Sequence, residues 1–309
     1  MAELVVSLPD DPGLREAIGD VAEVEFVRWN LDGPPPVERI DIVVPPYWGG
    51  AKRLQRIAEV TTQLVQWQSI GYNGVDRYLP AGVPLANAAT VHETGTAELA
   101  VAMTLAMQRG ITDFVRENDE RVWNLRTFPS LADRRVLLIG YGGVGKAIEA
   151  RLSGFETHLT RLATRARTDQ NLAGETVSVL GLDSLYEALA DAEIVILAVP
   201  LTDDTRGLID AAALAAMPDG ALVVNVARGA VVDTEALAAE VRTGRVRAAL
   251  DVTDPEPLPE DHELWGLPGG LITPHVGGDS TAMMPRMARL IWRQIEHLKA
   301  GETPENLVC

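Results

Sequence analysis

The sequence predicts an α/β protein built on two doubly wound parallel sheets. Short apolar runs rich in β-branched residues recur along the chain, and helix-like stretches separate most of them. Several of these runs are apolar on both faces, which is typical of strands covered by helices on either side. The chain has 309 residues, which is long enough for two domains. We therefore expect two α/β units in series.

The first predicted unit is small. A helix-like stretch is expected at 51–60, and strands are expected at 4–8, 24–27, 41–44 and 63–67. The segment from Thr94 to about Glu120 follows. Because it is rich in Ala, Leu and Met and contains no proline, it predicts one or two helices.

From residue 135 the strand pattern is stronger and predicts a second parallel sheet. Helical spacers separate most of the expected strands, which read RVLLIG, THLTRLA, VSVL, IVILAV, ALVVNV, VRAALDV and LITP. The last stretch, 283–300, is again helix-like, and we expect it to pack back onto the first unit.

Composition argues against several classes of partner. The net charge of -17 repels nucleic acid and anionic membrane surfaces. Glu3 stands where a signal peptide would carry Lys or Arg, and runs such as IVILAV are too short to span a membrane, so we expect a cytoplasmic protein. The only cysteine, Cys309, allows no internal disulfide, and the five histidines lack metal-binding spacing, so we expect no metal.

A glycine motif lies in the stretch VLLIGYGGVGKAIEARL. Gly140, Gly142 and Gly145 have the G-x-G-x-x-G spacing, directly after a strand and at the start of a helix expected to reach Leu152. The first glycine permits a tight turn, the second lets a pyrophosphate approach the backbone, and the third lets helix and strand pack closely. This context predicts a dinucleotide-binding loop made of Gly140, Tyr141, Gly142, Gly143, Val144 and Gly145.

The end of the next strand predicts which dinucleotide is preferred. Such loops expect an acidic residue about 20 positions on, bound to the adenosine ribose 2'-hydroxyl, but no Asp or Glu lies between Glu156 and Asp169. Arginine suits a 2'-phosphate instead, and we predict a preference for NADP(H), with NAD(H) still possible. The alternative interpretation is that these arginines form a solvated basic end of the strand. The arginine that lies within the predicted buried strand fits neither interpretation. The residues concerned are Thr164, Arg165 and Arg167, preceded by Arg161.

Three polar side chains each follow a predicted strand, at the sheet edge where open α/β folds bind ligands. They are Arg228 in NVARGAVVD, Glu256 in DVTDPEPLP and His275 in ITPHVGG. An arginine grips a carboxylate bidentately, a histidine exchanges the proton that accompanies hydride transfer, and a nearby carboxylate favours the imidazolium form. Each residue alone has an ordinary structural interpretation, but together they predict 2-oxo acid chemistry.

These segments resemble those of the D-isomer-specific 2-hydroxyacid dehydrogenases, which include phosphoglycerate, D-lactate and hydroxypyruvate or glyoxylate enzymes. The similarity extends over most of the chain from about Gln68, and its strongest stretches are IGYGGVGKAI, VPLTDDTRGLID, LVVNVARGAVVDTEAL, ALDVTDPEPLP and ITPHVGG. The resemblance implies that Arg228, Glu256 and His275 are catalytic. It also implies that the cofactor is contacted by Val199, Pro200, Thr205 and Asp251.

The resemblance further implies the roles of the two domains. Residues 93–282 would form a Rossmann nucleotide-binding domain, and residues 1–92, completed by 283–309, a smaller flavodoxin-like substrate domain. A homodimer through the helical region after residue 93 is implied as well. In the loop SIGYNGVD, the backbone around Ile70 and Gly71 would hold the substrate carboxylate, with Asn73 nearby; a plain turn is the alternative.

One loop bears on the substrate. Relatives that bind phosphorylated substrates tend to carry basic groups after the third strand, whereas this chain has PPYWGG, in which Tyr47 and Trp48 offer apolar surface. Lys52 and Arg53 follow this loop closely in sequence, so the sequence leaves open whether the substrate is phosphorylated. We predict reduction of a small unphosphorylated 2-oxo acid to a D-2-hydroxy acid, with Trp48 and Arg228 among the substrate contacts.

Two other functions stay open. One is a phosphoglycerate dehydrogenase-type enzyme that uses NAD, and the other is a non-catalytic NAD(P)-sensing protein of the same fold, because fold does not fix function. The presence of all three polar residues favours an enzyme. A formate-type dehydrogenase fits less well, since that branch carries an amide where this chain has Glu256.

Overall fold

A computed structural model describes residues 4–308, so Glu3 and Cys309, on which the expectations about targeting and disulfides depend, lie outside the described residues. The chain divides into two units. Unit 1 contains the residues up to His92 and those from Gly278 onward, and unit 2 contains Glu93–Gly277. Each unit has its own parallel sheet.

The regular elements, in chain order, are as follows. The strands are β1 Leu4–Leu8, β2 Val24–Arg28, β3 Ile42–Val43, β4 Leu64–Gln66, β5 Leu85–Ala86, β6 Arg135–Ile139, β7 His158–Leu162, β8 Arg167–Gln170, β9 Thr176–Val179, β10 Ile194–Leu197, β11 Ala221–Asn225, β12 Val246–Leu250 and β13 Gly270–Ile272. The helices are α1 Pro12–Ile18, α2 Glu93–Gln108, α3 Ile111–Glu120, α4 Gly143–Leu152, α5 Leu185–Asp191, α6 Ala211–Ala216, α7 Thr234–Thr243 and α8 Met283–Ala300.

Unit 1 is a five-stranded sheet in the order β2-β1-β3-β4-β5, with every pair parallel. Helix α1 begins after Asp11, whose carboxylate accepts hydrogen bonds from the first-turn backbone N–H groups. Helices α1 and α8 pack together over one face of the sheet, where Val6, Leu14 and Ile291 are fully buried. A 3-10 segment, Ala51–Glu59, contributes to the core on the other face.

Unit 2 is a six-stranded parallel sheet in the order β13-β12-β11-β10-β6-β7. Helices α2 and α4 contribute to the core on one face, and α5, α6 and α7 contribute to the core on the other. The strand order reverses at β6, which has β7 on one side and β10 on the other. In open α/β sheets this switch point opens a crevice at the carboxyl ends of the strands, where ligands bind.

One local prediction is corrected by the structure and another is confirmed. The stretch VSVL contributes one parallel bridge to the large sheet, between Leu180 and Leu162 of β7, but β9 itself pairs antiparallel with β8 in a separate two-stranded sheet. The short turn between β8 and β9 explains this, since a parallel crossover needs a dozen or more residues. The prediction of one or two helices from Thr94 to about Glu120 is confirmed, because α2 and α3 separate at Gly110, a residue with a positive φ of 63°.

No helix among residues 4–308 is both long enough and apolar enough to cross a membrane. In the same part of the chain, no group of three or more His, Cys, Asp or Glu side chains is arranged to hold a metal ion.

Candidate active site

The glycine motif forms the turn between β6 and α4. A Cβ at Gly140, where φ is +105°, would overlap the Ala198 carbonyl after β10, and a Cβ at Gly145 would overlap the Gly140 carbonyl. Packing alone therefore requires both glycines. Gly142 differs, because nothing lies within 4 Å of the position its Cβ would occupy, and it leaves the first turn of α4 without a side-chain cap. That open backbone at a helix N-terminus fits the close approach of a pyrophosphate.

A set of hydrogen-bonded side chains, Tyr141, Glu149 and Arg161, connects this loop to α4 and β7. The Tyr141 side chain is buried, and its hydroxyl donates a hydrogen bond to Glu149 of α4. Glu149 is also bidentate with Arg161 of β7, at 2.5 and 3.1 Å. Burial, with help from Glu149, raises the pKa of Tyr141 to about 12. Burial would raise the pKa of Glu149 too, but the hydrogen bonds from Arg161 and Tyr141 together outweigh it and lower that pKa.

Arg161 is therefore not part of the exposed basic group expected at the end of β7. Its side chain is 19% exposed and is committed to Glu149, which explains how a strand accommodates an arginine. Arg165 lies just past β7, is exposed, and forms no ion pair with any residue in the range 4–308. Arg167 belongs to β8, and its Nη2 donates a 2.8 Å hydrogen bond to the Tyr141 carbonyl of the glycine loop.

Lys146 and Asp169 also lie beside this basic group, and the sequence did not single them out. The Lys146 Nζ is 2.8 Å from one Asp169 carboxylate oxygen, and the Arg167 Nε is 3.0 Å from the other. Hydrogen bonds from Lys146, from the Gln170 backbone and from Arg167 lower the pKa of Asp169 to about 2. Asp169 is thus ionised at any working pH and holds two cations close to the glycine loop. The sequence offered one clue to this cluster, which was Lys146 in the first turns of the helix predicted after the glycine motif.

His275 and Glu256 form a close pair in unit 2. The His275 Nδ1 is 2.5 Å from the Glu256 Oε1, and both side chains are partly exposed. Because the Nδ1 partner is a carboxylate, we assign the Nδ1 proton to this contact, which leaves Nε2 as the other ring nitrogen. The hydrogen bond from His275 lowers the pKa of Glu256, with burial opposing it and the charges of His275 and Arg228 reinforcing it.

The loop that carries His275 is fixed by Asp251. His275 has a positive φ of 56°, which a non-glycine residue adopts only when its surroundings enforce it. Its backbone N–H donates to the Asp251 carbonyl at 2.8 Å. The buried Asp251 carboxylate accepts hydrogen bonds from Thr273 Oγ1 at 2.7 Å and from the N–H groups of Val276 and Gly277, each at 2.9 Å. Its predicted contact with cofactor stays a prediction.

Arg228 follows β11 and is half-buried. Its Nη1 donates a 2.6 Å hydrogen bond to the Ala227 carbonyl, and its own carbonyl accepts one from Asn225. A Cβ at the next residue, Gly229, would overlap the Thr253 carbonyl, so the loops after β11 and β12 are in close contact. The structure thereby brings Arg228, Glu256 and His275 to the same end of the sheet from three separate loops.

The loop after β10 contains the other predicted cofactor contacts. Thr205 is buried, and its hydroxyl donates to the Pro200 carbonyl at 2.6 Å and accepts from the Thr202 N–H at 2.8 Å. The hydroxyl therefore shapes this loop. Val199 is buried and Pro200 is exposed on the same turn.

The predicted substrate residues of unit 1 lie in two loops. The carbonyls of Ile70 and Gly71 point into the unit, where they accept 3.0 Å hydrogen bonds from Asn87 and Trp67. Within residues 4–308, the N–H groups of Ile70 and Gly71 donate no hydrogen bond. Asn73 is exposed in the same loop.

Trp48, in the loop after β3, is 60% exposed. Its ring meets the Tyr47 ring edge-on, with centroids 4.9 Å apart.

Comparison with known proteins gives the family. Residues 101–277 match the family model described as D-isomer specific 2-hydroxyacid dehydrogenase, NAD binding domain. A glyoxylate reductase of Pyrococcus furiosus is 33% identical over 285 residues, which cover 88% of this chain and 80% of that protein. The chain belongs to the D-isomer specific 2-hydroxyacid dehydrogenases. The predictions of family, fold class and NAD(P)-dependent oxidoreductase are confirmed.

Two further relatives show the range of the family. A D-3-phosphoglycerate dehydrogenase of Mycobacterium leprae is 30% identical over 302 residues, covering 93% of this dehydrogenase but 54% of that protein. A D-isomer specific 2-hydroxyacid dehydrogenase of Xanthobacter autotrophicus Py2, solved in complex with NADPH and MES, is 29% identical. The two share a TM-score of 0.81 over 100% of this chain and 98% of that one.

Proposed function

We propose that this dehydrogenase reduces a small unphosphorylated 2-oxo acid to a D-2-hydroxy acid, with a preference for NADPH. The observation that carries the proposal is the His275–Glu256 pair, 2.5 Å apart, with Arg228 close enough for its charge to influence Glu256. A proton donor held by a carboxylate, beside a guanidinium that binds a carboxylate, is the set of groups that reduction of a 2-oxo acid requires.

Each group has a defined task in this proposal. The reduced nicotinamide supplies the hydride when bound. Glu256 would stabilise the imidazolium of His275 through Nδ1, and Nε2 would donate the proton to the substrate's C2 oxygen. Arg228 of unit 2 would bind the substrate carboxylate. The N–H groups of Ile70 and Gly71 in unit 1 keep their predicted role as carboxylate ligands, which their lack of hydrogen-bond acceptors within residues 4–308 supports.

The glycine loop and the basic group next to it would hold the cofactor. Gly142 leaves the space for the pyrophosphate, and the first turn of α4 provides N–H groups. Arg165 and Arg167, beside Thr164, would bind the 2'-phosphate. Lys146 lies in the same place, where Asp169 offsets part of the positive charge. The relative from Xanthobacter autotrophicus, crystallised with NADPH, supports the same preference. NAD(H) has no 2'-phosphate, so it would bind the same glycine loop without using the contacts proposed for that group.

Two observations support an unphosphorylated substrate. Trp48 and Tyr47 present aromatic surface where a phosphate-binding enzyme would carry cations, and the glyoxylate reductase of Pyrococcus furiosus acts on a small 2-oxo acid by its name. Reduction of a phosphorylated 2-oxo acid with NADH is the second candidate, favoured by the Mycobacterium leprae relative. That relative is almost twice as long as the region it shares with this chain.

The roles of the units and the assembly state belong to the same proposal. Unit 2 would bind the dinucleotide and unit 1 the substrate, with the division at 92/93 and near 277 to 282. A homodimer would form through α3 and the segment after it, where apolar side chains are exposed: Ile111, Val115, Val122, Trp123 and Leu125. Trp123 is 97% exposed in the single chain. The cytoplasmic location stays a prediction.

The test is NADPH and NADH oxidation by the purified protein with glyoxylate, hydroxypyruvate, phenylpyruvate, 2-oxoisocaproate and phosphohydroxypyruvate. We expect the highest kcat/KM with NADPH and an unphosphorylated acid. A higher value for phosphohydroxypyruvate with NADH would replace the proposal with the second candidate. Cofactor binding without turnover on any acid would point to a substrate outside the panel or to a sensing role.

A further inference from the structure

A buried histidine outside the proposed catalytic group joins several loops of unit 1. His92 is 4% exposed and is the last residue before the chain passes to unit 2. Its Nε2 is 2.6 Å from the Gln68 carbonyl oxygen, and its Nδ1 is 3.0 Å from the carbonyl oxygen of Gly278, the residue at which the chain returns. The ring therefore links the points where the chain leaves and re-enters unit 1.

The same ring reaches both proposed substrate loops. Gln68 immediately precedes the loop 69–76, and its side-chain Nε2 donates a 2.7 Å hydrogen bond to the Pro45 carbonyl, at the start of the loop 45–50. The His92 ring also stacks on Tyr47, with centroids 5.8 Å apart and an interplanar angle of 24°. Tyr47 in turn contacts the exposed Trp48. A displacement of His92 would therefore shift both loops.

Gly278 fits this arrangement for a steric reason. A Cβ there would lie 2.7 Å from the His92 Nδ1 and 3.4 Å from the Tyr47 hydroxyl, so only glycine leaves room for the ring. The lack of a side chain at 278 is thus explained by His92 and not by the backbone, because Gly278 does not have a positive φ.

The two hydrogen-bond partners of His92 are both carbonyl oxygens. A neutral imidazole has one N–H and donates to one of them, whereas the imidazolium donates to both. Replacing the ring by an apolar one leaves one of these carbonyls without its donor if the ring is neutral, and both if it is the imidazolium. The loops would relax to recover those hydrogen bonds.

We propose that His92 is a positioning residue for the substrate. It sets the position of loops 45–50 and 69–76 and so aligns the Ile70 and Gly71 N–H groups with the carboxylate of the 2-oxo acid. This inference rests on the proposed function, since it takes those N–H groups as the carboxylate site. It gives His92 no contact with substrate and no part in proton transfer.

The main experiment compares His92→Phe with His92→Gln. Phenylalanine keeps the ring and its stacking on Tyr47 but donates nothing, whereas glutamine keeps a donor. With the best 2-oxo acid of the panel and NADPH, we expect His92→Phe to raise KM about tenfold, the equivalent of one lost hydrogen bond, and to change kcat by less than about twofold. His92→Gln should recover most of the KM. His158→Phe, at an exposed histidine of β7, is the matched control and should change neither constant.

A second pair of variants covers the case in which His92→Phe does not fold. Gly278→Ala should raise KM in the wild-type background, because the added Cβ displaces the ring, and should add little in a His92→Ala background, where the space is open. Additive effects would overturn the proposal. So would a His92→Phe variant with an unchanged KM, or one in which kcat and NADPH affinity fall together and glutamine restores neither.

Hydrogen exchange separates this inference from the proposed function. If the wild type turns over no 2-oxo acid, the function fails, and amide exchange of residues 68–74 then decides the role of His92. Faster exchange of that loop in His92→Phe than in the wild type and His158→Phe supports the positioning role. Equal exchange in all three proteins would contradict it.

Discussion

The two functional regions of unit 2 are built in different ways. The glycine loop is one continuous turn of six residues, and two of its three motif glycines are required by packing against neighbouring backbone. Arg228, Glu256 and His275 come from three loops that are separated along the chain, and a buried carboxylate, Asp251, fixes the loop of His275. A motif reveals the first kind of region directly, whereas the second kind depends on supporting residues that no motif marks.

The largest expected effect comes from removing the proton donor. His275→Ala should lower kcat by about 10²-fold or more, because the transfer of a proton to the C2 oxygen then relies on water. NADPH affinity, measured by fluorescence titration, should stay the same, since the glycine loop is untouched. A variant with wild-type kcat would remove His275 from the mechanism.

A pair of glycine variants distinguishes ligand space from packing in the glycine loop. Gly142→Ala meets no atom within 4 Å, so the melting temperature should not change, but the methyl group should weaken NADPH binding about tenfold or more. Gly145→Ala overlaps the Gly140 carbonyl and should lower the melting temperature as well. Equal behaviour of the two variants in both assays would mean that Gly142 is not where the pyrophosphate approaches.

The cofactor preference should depend on the exposed basic residues. Arg165→Ala should raise the Kd for NADPH about tenfold and leave the Kd for NADH unchanged, because the lost partner is the 2'-phosphate. Arg242→Ala, at another exposed arginine of unit 2, serves as the control for a general loss of positive charge. A parallel loss of affinity for both cofactors in Arg165→Ala would argue for a general electrostatic effect.

The smallest effect concerns the acid side of the stability profile. The pKa of Glu256 is lowered in the folded protein, so its hydrogen bond with His275 stabilises the fold fully above the unfolded value of about 4.3. That contribution is lost as the pH falls below this value and through the folded pKa. The difference in melting temperature between wild type and Glu256→Gln should therefore shrink below about pH 4.3. A difference that is constant across that range would show that the carboxylate's charge is not involved.

Much of the fold was predictable because hydrophobic pattern sets it locally. The apolar runs became the strands of both sheets, and the glycine spacing after β6 predicted the turn that the structure has. The run VSVL was assigned to the parallel sheet because a short β-branched stretch has the same sequence pattern in a hairpin as in a parallel sheet. The two-residue strand β5 was too short to give any pattern.

The supporting contacts of the site were not predictable, because tertiary structure creates them. Arg161 was a misfit in its strand until Glu149, twelve positions earlier, gave it a partner. Lys146 and Asp169 meet across 23 positions, and His92 meets Gly278 across 186. No motif in the sequence marks these particular pairs.

The polar group under the glycine loop has a consequence for redesign. Tyr141, Glu149 and Arg161 hold the loop's shape with contacts inside the β6-α4-β7 unit, whereas Arg165 lies just beyond β7 and Arg167 lies in the β8-β9 hairpin. The residues proposed to bind the 2'-phosphate therefore lie outside the scaffold that shapes the glycine turn, although Arg167 is joined to that turn by its hydrogen bond to the Tyr141 carbonyl. If Arg165 binds the 2'-phosphate as proposed, substitutions there should change coenzyme choice while the turn keeps its shape, whereas substitutions at Arg167 or Asp169 would also remove contacts with the glycine loop and α4.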